Sequence, residues 1–561
     1  MNEVPSERLP LERLYHWEET RPHDIYLSQP MGNSVGRDYT WAETVDEVRR
    51  MAAYLKSFDW PPGTHIAIIS KNCAHWLMSD YAIWMAGHVS VPLYPTLTAD
   101  TVRQILEHSE CKACFVGKLD GWETMKPGVP SGIHCISYPL SPRNDYDTWD
   151  DIVRTSDPIS DHPTRPANDL ATIIYTSGTT GQPKGVMQSF GAFAWSVATV
   201  VDRMAIGVND RVLSYLPLAH VAERAIVEFG SLAVGFRIFF AESIETFQDD
   251  LRGARPTIFF SVPRLWKKFQ QNVFQEVPPK RLDLLLKIPI VNRLVLKKIQ
   301  KALGLDECRY AAGGAAAMPG ELLHWYKRLG LEILEAYGMT ENCAISHANQ
   351  PGRAKPGYVG FAYDGVETRI APDTGEMEMR SPGLMMGYYK APDLTRAAMT
   401  QDGWLRTGDK GEFDDEGRFR ITGRAKDIFK TSKGKYVSPG PIESRLINHP
   451  GLEVCCVVGA DFPQPFGLVM LAQRVADGAQ SATSRDQLTG SLREHLDQLN
   501  AALDAHERLE FLVVVDEPWS IENGLLTPTL KLKRNEIEEL YSPHFASWRD
   551  NRKPVVWQSS G

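Results

Sequence analysis

Apolar and polar positions along the first half of the chain alternate between two periods. In ETVDEVRRMAAYLKS (43–57), Val45, Val48, Ala52 and Leu55 recur at helical spacing, which predicts a helix. THIAIIS (64–70) is a short, continuous apolar run and predicts a buried strand. The pattern then predicts a helix at 75–87, an extended stretch at 89–95, a helix at 98–109 with a Thr or Asp cap, and a strand at 112–118. Further strands are predicted at LATIIYT (170–176), RVLSYLP (211–217), PTIFFSVP (256–263), CRYAAGG (308–314) and LEILEAYG (331–338). Strands alternating with helices predict an α/β fold with largely parallel sheets. Residues 141–168, rich in Asp, Pro and Ser, read as a connecting surface loop.

From about residue 355 the texture changes to short strands between Gly and Asp turns, which predicts a small β subdomain. A last unit begins near residue 424. It has a predicted helix at 441–449, strands at EVCCVVG and LVMLAQRV, a helix at 485–503 and a strand at 510–516. The expected organisation is therefore a large N-terminal, multi-subdomain α/β domain over 1–423 and a C-terminal α+β domain over 424–561. A chain of 561 residues suits such a division.

Composition is that of an ordinary globular protein, with 43% hydrophobic and 23% charged residues. The formal charge is −9, which argues against bulk binding of nucleic acid but leaves room for a local basic phosphate pocket. Eight cysteines are too few for a disulfide framework. Cys111 and Cys114 form a lone C-x-x-C with no second pair, so buried thiols in a reducing, cytoplasmic setting are expected. MNEVPSERLPLERLY lacks an apolar h-region, and no apolar run approaches the ~18 residues of a membrane span. In 279–301, PKRLDLLLKIPIVNRLVLKKIQK, basic residues interleave with Leu, Ile and Val. That segment reads either as a helical hairpin on the surface of a large enzyme or as a peripheral contact with the inner membrane face.

The strongest chemical signal is YTSGTTGQPKGV (175–186). A predicted strand runs into glycines that let amides approach an anion, hydroxyls that donate, and Lys184 as a point charge. The order is not that of a Walker A loop, because Lys184 is followed by Gly. By itself such a run could be a flexible surface loop. The run resembles the phosphate-loop signature of the adenylate-forming superfamily, which includes acyl-CoA synthetases, luciferases and nonribosomal adenylation domains. Similar motifs follow in order: YLPLAHVAER (215–224), AAGGAAAMP (311–319), EAYGMTE (335–341), DGWLRTGD (402–409), GRAKDIFKTSKGKYVSP (423–439) and NGLLTPTLKLKR (523–534). The resemblance spans about residues 35 to 540. It implies a C-terminal domain that moves during the reaction.

Nucleotide contacts are implied for Thr176, Ser177, Gly178, Thr179, Thr180, Gly181 and Lys184. Others are implied for Gly314, Ala315, Tyr337, Gly338, Thr340, Asp409 and Arg424. Glu341 is a hard oxygen ligand suited to Mg²⁺, Thr340 can donate to a phosphate oxygen, and Tyr337 offers a ring to adenine. Asp409, with help from Arg424, is expected to accept the ribose hydroxyls. Gly313 and Ala316, in a run almost without side-chain volume, and His220 are expected beside the acyl group. Lys531 corresponds to the superfamily's catalytic lysine, although Thr529-Leu530 replace the usual Ser-Gly before it. Lys426 corresponds to the hinge, and Lys433, Gly434 and Lys435 neighbour the expected thiol channel.

The implied reaction joins a fatty acid, ATP and coenzyme A, with Mg²⁺. Catalytic roles fall to Lys184, Glu341 and Lys531. The TPTLKLKR variant is similar to the long-chain fatty acyl-CoA synthetase branch. Medium-chain or aromatic acids, an acyl-AMP or acyl-carrier-protein ligase, and a catalytically silent nucleotide-binding scaffold are the alternatives. The oligomeric state, monomer or homodimer, stays open.

Overall fold

The computed structural model describes residues 5–32, 34–177, 183–479, 481–527 and 530–560. The chain forms two compact units. One comprises Met1–Ala316, Gly320–Thr368 and Met379–Leu405; the other comprises Ala317–Pro319, Arg369–Glu378 and Arg406–Gly561.

The first unit is α/β, as the alternation predicts. Its largest sheet has eight strands. From one edge these are Gly387–Tyr388, Pro183–Ser189, Leu170–Ser177, Val89–Leu93, His65–Ile69, Ala113–Val116, His134–Ser137 and Asp147–Thr148. The strands from Leu170–Ser177 onward pair in parallel, and the two before it pair antiparallel. Strand His65–Ile69 reads as a continuous apolar run because both its faces are covered: Ile66 and Ile68 enter one core, Ala67 and Ile69 the other. A five-stranded sheet begins with three parallel strands, Ile258–Ser261, Tyr310–Gly313 and Ile333–Tyr337.

Local chemistry sets the element ends. The first predicted helix begins earlier than its apolar spacing, at Trp41. Thr40 Oγ1 accepts from the Glu43 amide at 3.2 Å while Glu43 accepts from the Thr40 amide at 2.8 Å, so two otherwise orphaned donors are satisfied reciprocally. Thr98, rather than Asp, caps the helix Ala99–Ser109. Residues 141–168 are not all loop, contrary to expectation: Asp147–Thr148 is an edge strand and Trp149–Thr155 a helix. Thr148 caps that helix, and Trp149 is fully buried with its indole N–H donating to Glu47 at 2.8 Å. One buried tryptophan outweighs the loop-like composition around it.

The second unit is α+β. One of its four-stranded sheets runs Leu452–Val458, Phe466–Leu471, Leu512–Val514, Val555–Trp557; another runs Glu367–Ile370, Glu376–Arg380, Leu405–Phe413, Phe419–Arg424. Alternation along Leu452–Val458 sends Cys455 and Val457 into one core and Cys456 and Val458 into the other. The helices Pro439–Leu446 and Ala482–Ala501 contribute Ile442, Leu446, Leu492 and Leu496 to the first core. Ile537 and Tyr541 of Arg534–Tyr541 join the second. The expected strand LVMLAQRV stops at Leu471, and Gln473–Gly478 is a short helix. Cys111 and Cys114 are buried, and burial pushes both thiols up, Cys111 to about 12.

Candidate active site

Lys184 lies on a strand rather than in a loop. Strands Leu170–Ser177 and Pro183–Ser189 form an antiparallel hairpin in which Thr176 faces Lys184 and Ser177 faces Pro183. The predicted contacts Gly178, Thr179, Thr180 and Gly181, and the Ser177 side chain, lie outside the described residues. Gly185 permits close packing here, since a Cβ would come within 2.7 Å of Ile173.

The edge strand Gly387–Tyr388 pairs with the Lys184 strand, Tyr388 opposite Val186. Tyr388 is the residue that joins two motifs. Its hydroxyl donates to Glu341 Oε1 at 2.8 Å, and Lys184 Nζ lies 5.9 Å from its ring centre. Burial and the neighbouring Glu341 carboxylate push the Tyr388 phenol up, so it stays a donor. Glu341 is also held through its backbone, whose carbonyl accepts from the Met385 amide at 2.8 Å. Gln188 on the Lys184 strand donates to the Thr340 carbonyl at 2.6 Å. Gly338 is required by close approach, because a Cβ there would run into the Ala344 carbonyl. Tyr337 is nearly buried, 6.4 Å from the His347 ring.

Gly313 ends a central strand between Ser261 and Glu335. Gly314 is buried; a Cβ there would lie 3.0 Å from the Ala336 carbonyl oxygen. Ala315 is left-handed at φ 65° and, like Ala316, exposed. His220 caps the turn Val221–Glu223, its Nδ1 accepting from the Ala222 amide at 3.2 Å.

Beneath that turn lies a charge cluster to which sequence reasoning assigned no role. Arg224 is fully buried and pairs with Asp80, with Glu228 at 2.7 Å and with Thr172 at 2.7 Å. Thr172 belongs to Leu170–Ser177, one arm of the Lys184 hairpin. Charged residues in the otherwise apolar run AERAIVEFG were the available signal. Glu223, also buried, accepts from Ser214 at 2.9 Å and from the Tyr215 amide at 3.0 Å; burial pushes its carboxyl up to about 8.

In the second unit, Asp409 and Arg424 face each other across an antiparallel pair of strands. Arg424 Nε donates to Asp409 Oδ1 at 3.0 Å; the carboxylate is buried and the arginine exposed. Lys426 occupies an exposed turn directly after that strand. Lys531 sits on a tight turn. Its amide donates to Thr527 Oγ1 at 3.0 Å, its carbonyl accepts from the Thr527 amide at 2.8 Å, and its side chain is exposed. Arg534, three residues beyond the exposed Lys531, is an anchor. It donates to Glu443 at 2.9 Å and to the Val457 carbonyl at 3.0 Å.

Residues 14–389 match the family model described as AMP-binding enzyme, and 426–546 match the AMP-binding enzyme C-terminal domain. The chain belongs to the AMP-binding enzyme family. It is 30% identical to the long-chain-fatty-acid–CoA ligase FadD15 of Mycobacterium bovis, over 92% of this chain and 93% of that one. It is 31% identical to the peroxisomal long chain acyl-CoA synthetase 6 of Arabidopsis thaliana, over 90% and 81% of the two chains. Among solved structures, the anthranilate CoA ligase AuaEII in complex with anthranoyl-AMP superposes with a TM-score of 0.80 at 22% identity, covering 97% and 99% of the chains. The adenylation domain of a Mycobacterium chelonae carboxylate reductase superposes with a TM-score of 0.81 at 19% identity, covering 96% and 91%.

For an AMP-binding enzyme the donor set at Glu341 fits Mg²⁺ in one specific way. Among the described residues no group of three or more His, Cys, Asp or Glu side chains could cage a metal. Magnesium characteristically needs no such cage: one carboxylate, waters and the nucleotide's own phosphates suffice. Glu341, half-buried and oriented by Tyr388 through one oxygen, meets that requirement.

Proposed function

We propose that the protein is an AMP-forming ligase that activates a long-chain fatty acid with ATP and passes the acyl group to coenzyme A, releasing AMP and pyrophosphate. The observation that carries this reading is the Lys184–Tyr388–Glu341 arrangement, which sets a fixed cation and an oriented carboxylate beside one strand end. In the first half-reaction a fatty carboxylate oxygen attacks the α-phosphorus, the bond to the β-phosphate oxygen breaks, and pyrophosphate leaves. A carboxylate is already ionised at neutral pH, so catalysis rests on positioning and charge neutralisation. Lys184 holds the β- and γ-phosphates, Thr340 donates to a phosphate oxygen, and Glu341 holds Mg²⁺, which supplies further neutralisation there. Asp409 accepts the ribose hydroxyls, with Arg424 fixing its carboxylate. Lys531 bridges the carboxylate and α-phosphate. In the second half-reaction the coenzyme A sulfur attacks the acyl carbonyl, the mixed-anhydride bond breaks, and AMP leaves.

Lys531 serves only the first step, so the C-terminal residues must shift between the two. We infer that Lys426 is the pivot, supported by its exposed turn. Lys426→Pro fixes φ and removes a backbone donor; adenylation should persist while thioester formation falls. Full overall turnover by that variant would remove the hinge assignment. The function itself is tested by carboxylate-dependent pyrophosphate release from ATP, with and without coenzyme A, across acids from C6 to C18. A rate that rises with chain length and with coenzyme A is expected. Turnover that ignores free coenzyme A, or that prefers short or aromatic acids, would overturn the substrate assignment. We read the enzyme as cytoplasmic, reaching membrane peripherally. Among the described residues no helix is long and apolar enough to cross a membrane.

A further inference from the structure

The segment 279–301 folds as a helical hairpin, Pro279–Leu286 and Pro289–Leu303, tied at its turn by Asn292 donating to the Leu286 carbonyl at 3.0 Å. Its inner side is anchored: Leu282, Ile299 and Leu303 are buried, and the Ala302 carbonyl accepts from Arg252 at 2.8 Å. Its outer side is not covered by the other described residues. Leu284, Ile288 and Leu294 are 63%, 45% and 68% exposed. All seven basic residues of the segment are exposed, namely Lys280, Arg281, Lys287, Arg293, Lys297, Lys298 and Lys301. The segment itself contains one acid, Asp283, which is paired with Arg328, and Asp306 next to the hairpin lies within electrostatic reach of Lys301. At 100° per residue, Arg293, Leu294, Lys297, Lys298 and Lys301 share an arc of about 140° on the second helix, opposite the buried Ile299 and Leu303.

We propose that this outer face is a docking surface for an anionic lipid bilayer. The chain carries a net −9, yet here it gathers a strongly positive patch with large apolar side chains projecting from its middle. That combination complements a bilayer surface twice over: basic groups meet anionic headgroups, and Leu284, Ile288 and Leu294 enter the headgroup–acyl boundary. A nucleic acid would use the charge but leave the leucines in water. A protein partner or a second copy would bury the leucines but has no need of seven cations. The inference stands on the hairpin's geometry and holds whether or not the substrate assignment does; with it, the surface brings the enzyme to where long acyl chains partition.

The test uses the full-length protein without ATP or acid, so it is blind to catalysis. Flotation is measured with neutral phosphatidylcholine vesicles and with vesicles containing 30% phosphatidylglycerol, at low and high salt. The expected result is binding to the anionic vesicles only, weakened at least tenfold by high salt. Lys297→Glu/Lys298→Glu/Lys301→Glu and Leu284→Ser/Ile288→Ser/Leu294→Ser should each weaken binding at least tenfold. All six positions are exposed, so melting temperature should be unchanged, and circular dichroism checks this. Failure of the parent to bind anionic vesicles, or binding by either triple variant equal to the parent's, would overturn the proposal. So would concentration-dependent self-association that the leucine variant abolishes while vesicle binding persists.

Discussion

Two lysines, one in each unit, stand on β-hairpins built in opposite ways. The Lys184 hairpin is paired along its length, Leu170–Ser177 against Pro183–Ser189, and is flanked by Val89–Leu93 on one side and Gly387–Tyr388 on the other. Among the described residues the Lys531 hairpin has one bridge, Leu526 with Leu532, and Thr527 hydrogen-bonds to Lys531. A lysine embedded in a sheet keeps its position because moving it would break many ladder bonds at once. A lysine on a short turn can travel with the small element that carries it. The contrast agrees with the proposed division of labour, in which Lys184 holds phosphates and Lys531 acts in one half-reaction only.

The largest effect is expected from the anchor behind the Lys531 turn. Arg534→Ala leaves Glu443 mostly buried without its cation, which should cost about 3 kcal/mol or more. Chemical denaturation should show this, and an unchanged midpoint would mean the turn is held otherwise. Lys531→Ala should leave stability alone yet lower adenylate formation by about a hundredfold, on the order of 3 kcal/mol in the transition state. Thioester formation from supplied acyl-adenylate should survive. Equal loss in both half-reactions, read by single turnover, would make the two lysines alike and end the comparison.

Tyr388→Phe should sharpen it from the other side. Losing one hydrogen bond to a charged group is worth about 1.5–3 kcal/mol. The expected outcome is weaker Mn²⁺–ATP binding, seen by electron paramagnetic resonance of Mn²⁺ substituted for Mg²⁺, with unchanged melting temperature. Unaltered Mn²⁺ binding would show that Glu341 needs no orienting partner. A further effect concerns pH. Glu223 titrates near 8 in the folded protein against an ordinary 4.5, so the native state holds this proton more tightly than the unfolded chain. Its contribution to stability is complete below about 4.5 and is lost as pH rises through about 8. Glu223→Gln should flatten that part of the stability–pH curve. A slope identical to the parent's between pH 5 and 8 would show that Glu223 does not hold the proton.

Much of this was legible in the chain itself. Parallel strands covered on both faces write themselves as apolar runs, so THIAIIS and EVCCVVG are recognisable as buried strands without coordinates. Gly338 and Gly185 sit inside motifs visible from sequence, and the structure adds the reason each must lack a Cβ. Helix caps were less legible. Thr40 and Thr148 stand outside the apolar spacing that announces a helix, and the second was hidden in a stretch with loop-like composition.

The order of motifs along the chain, the family they belong to and the residue types able to bind phosphate, ribose and metal were determined by sequence alone, because they depend on chemical identity and local spacing. Only the tertiary structure decided which of those residues meet. Glu341 and Tyr388 are 47 residues apart, Arg224 and Asp80 are 144 apart, and Arg534 and Glu443 are 91 apart. No periodicity reports such pairs. They are set by which strands lie side by side and by the cost of burying a charge or a polar group without a partner, and that cost can be evaluated only once the chain has closed around them.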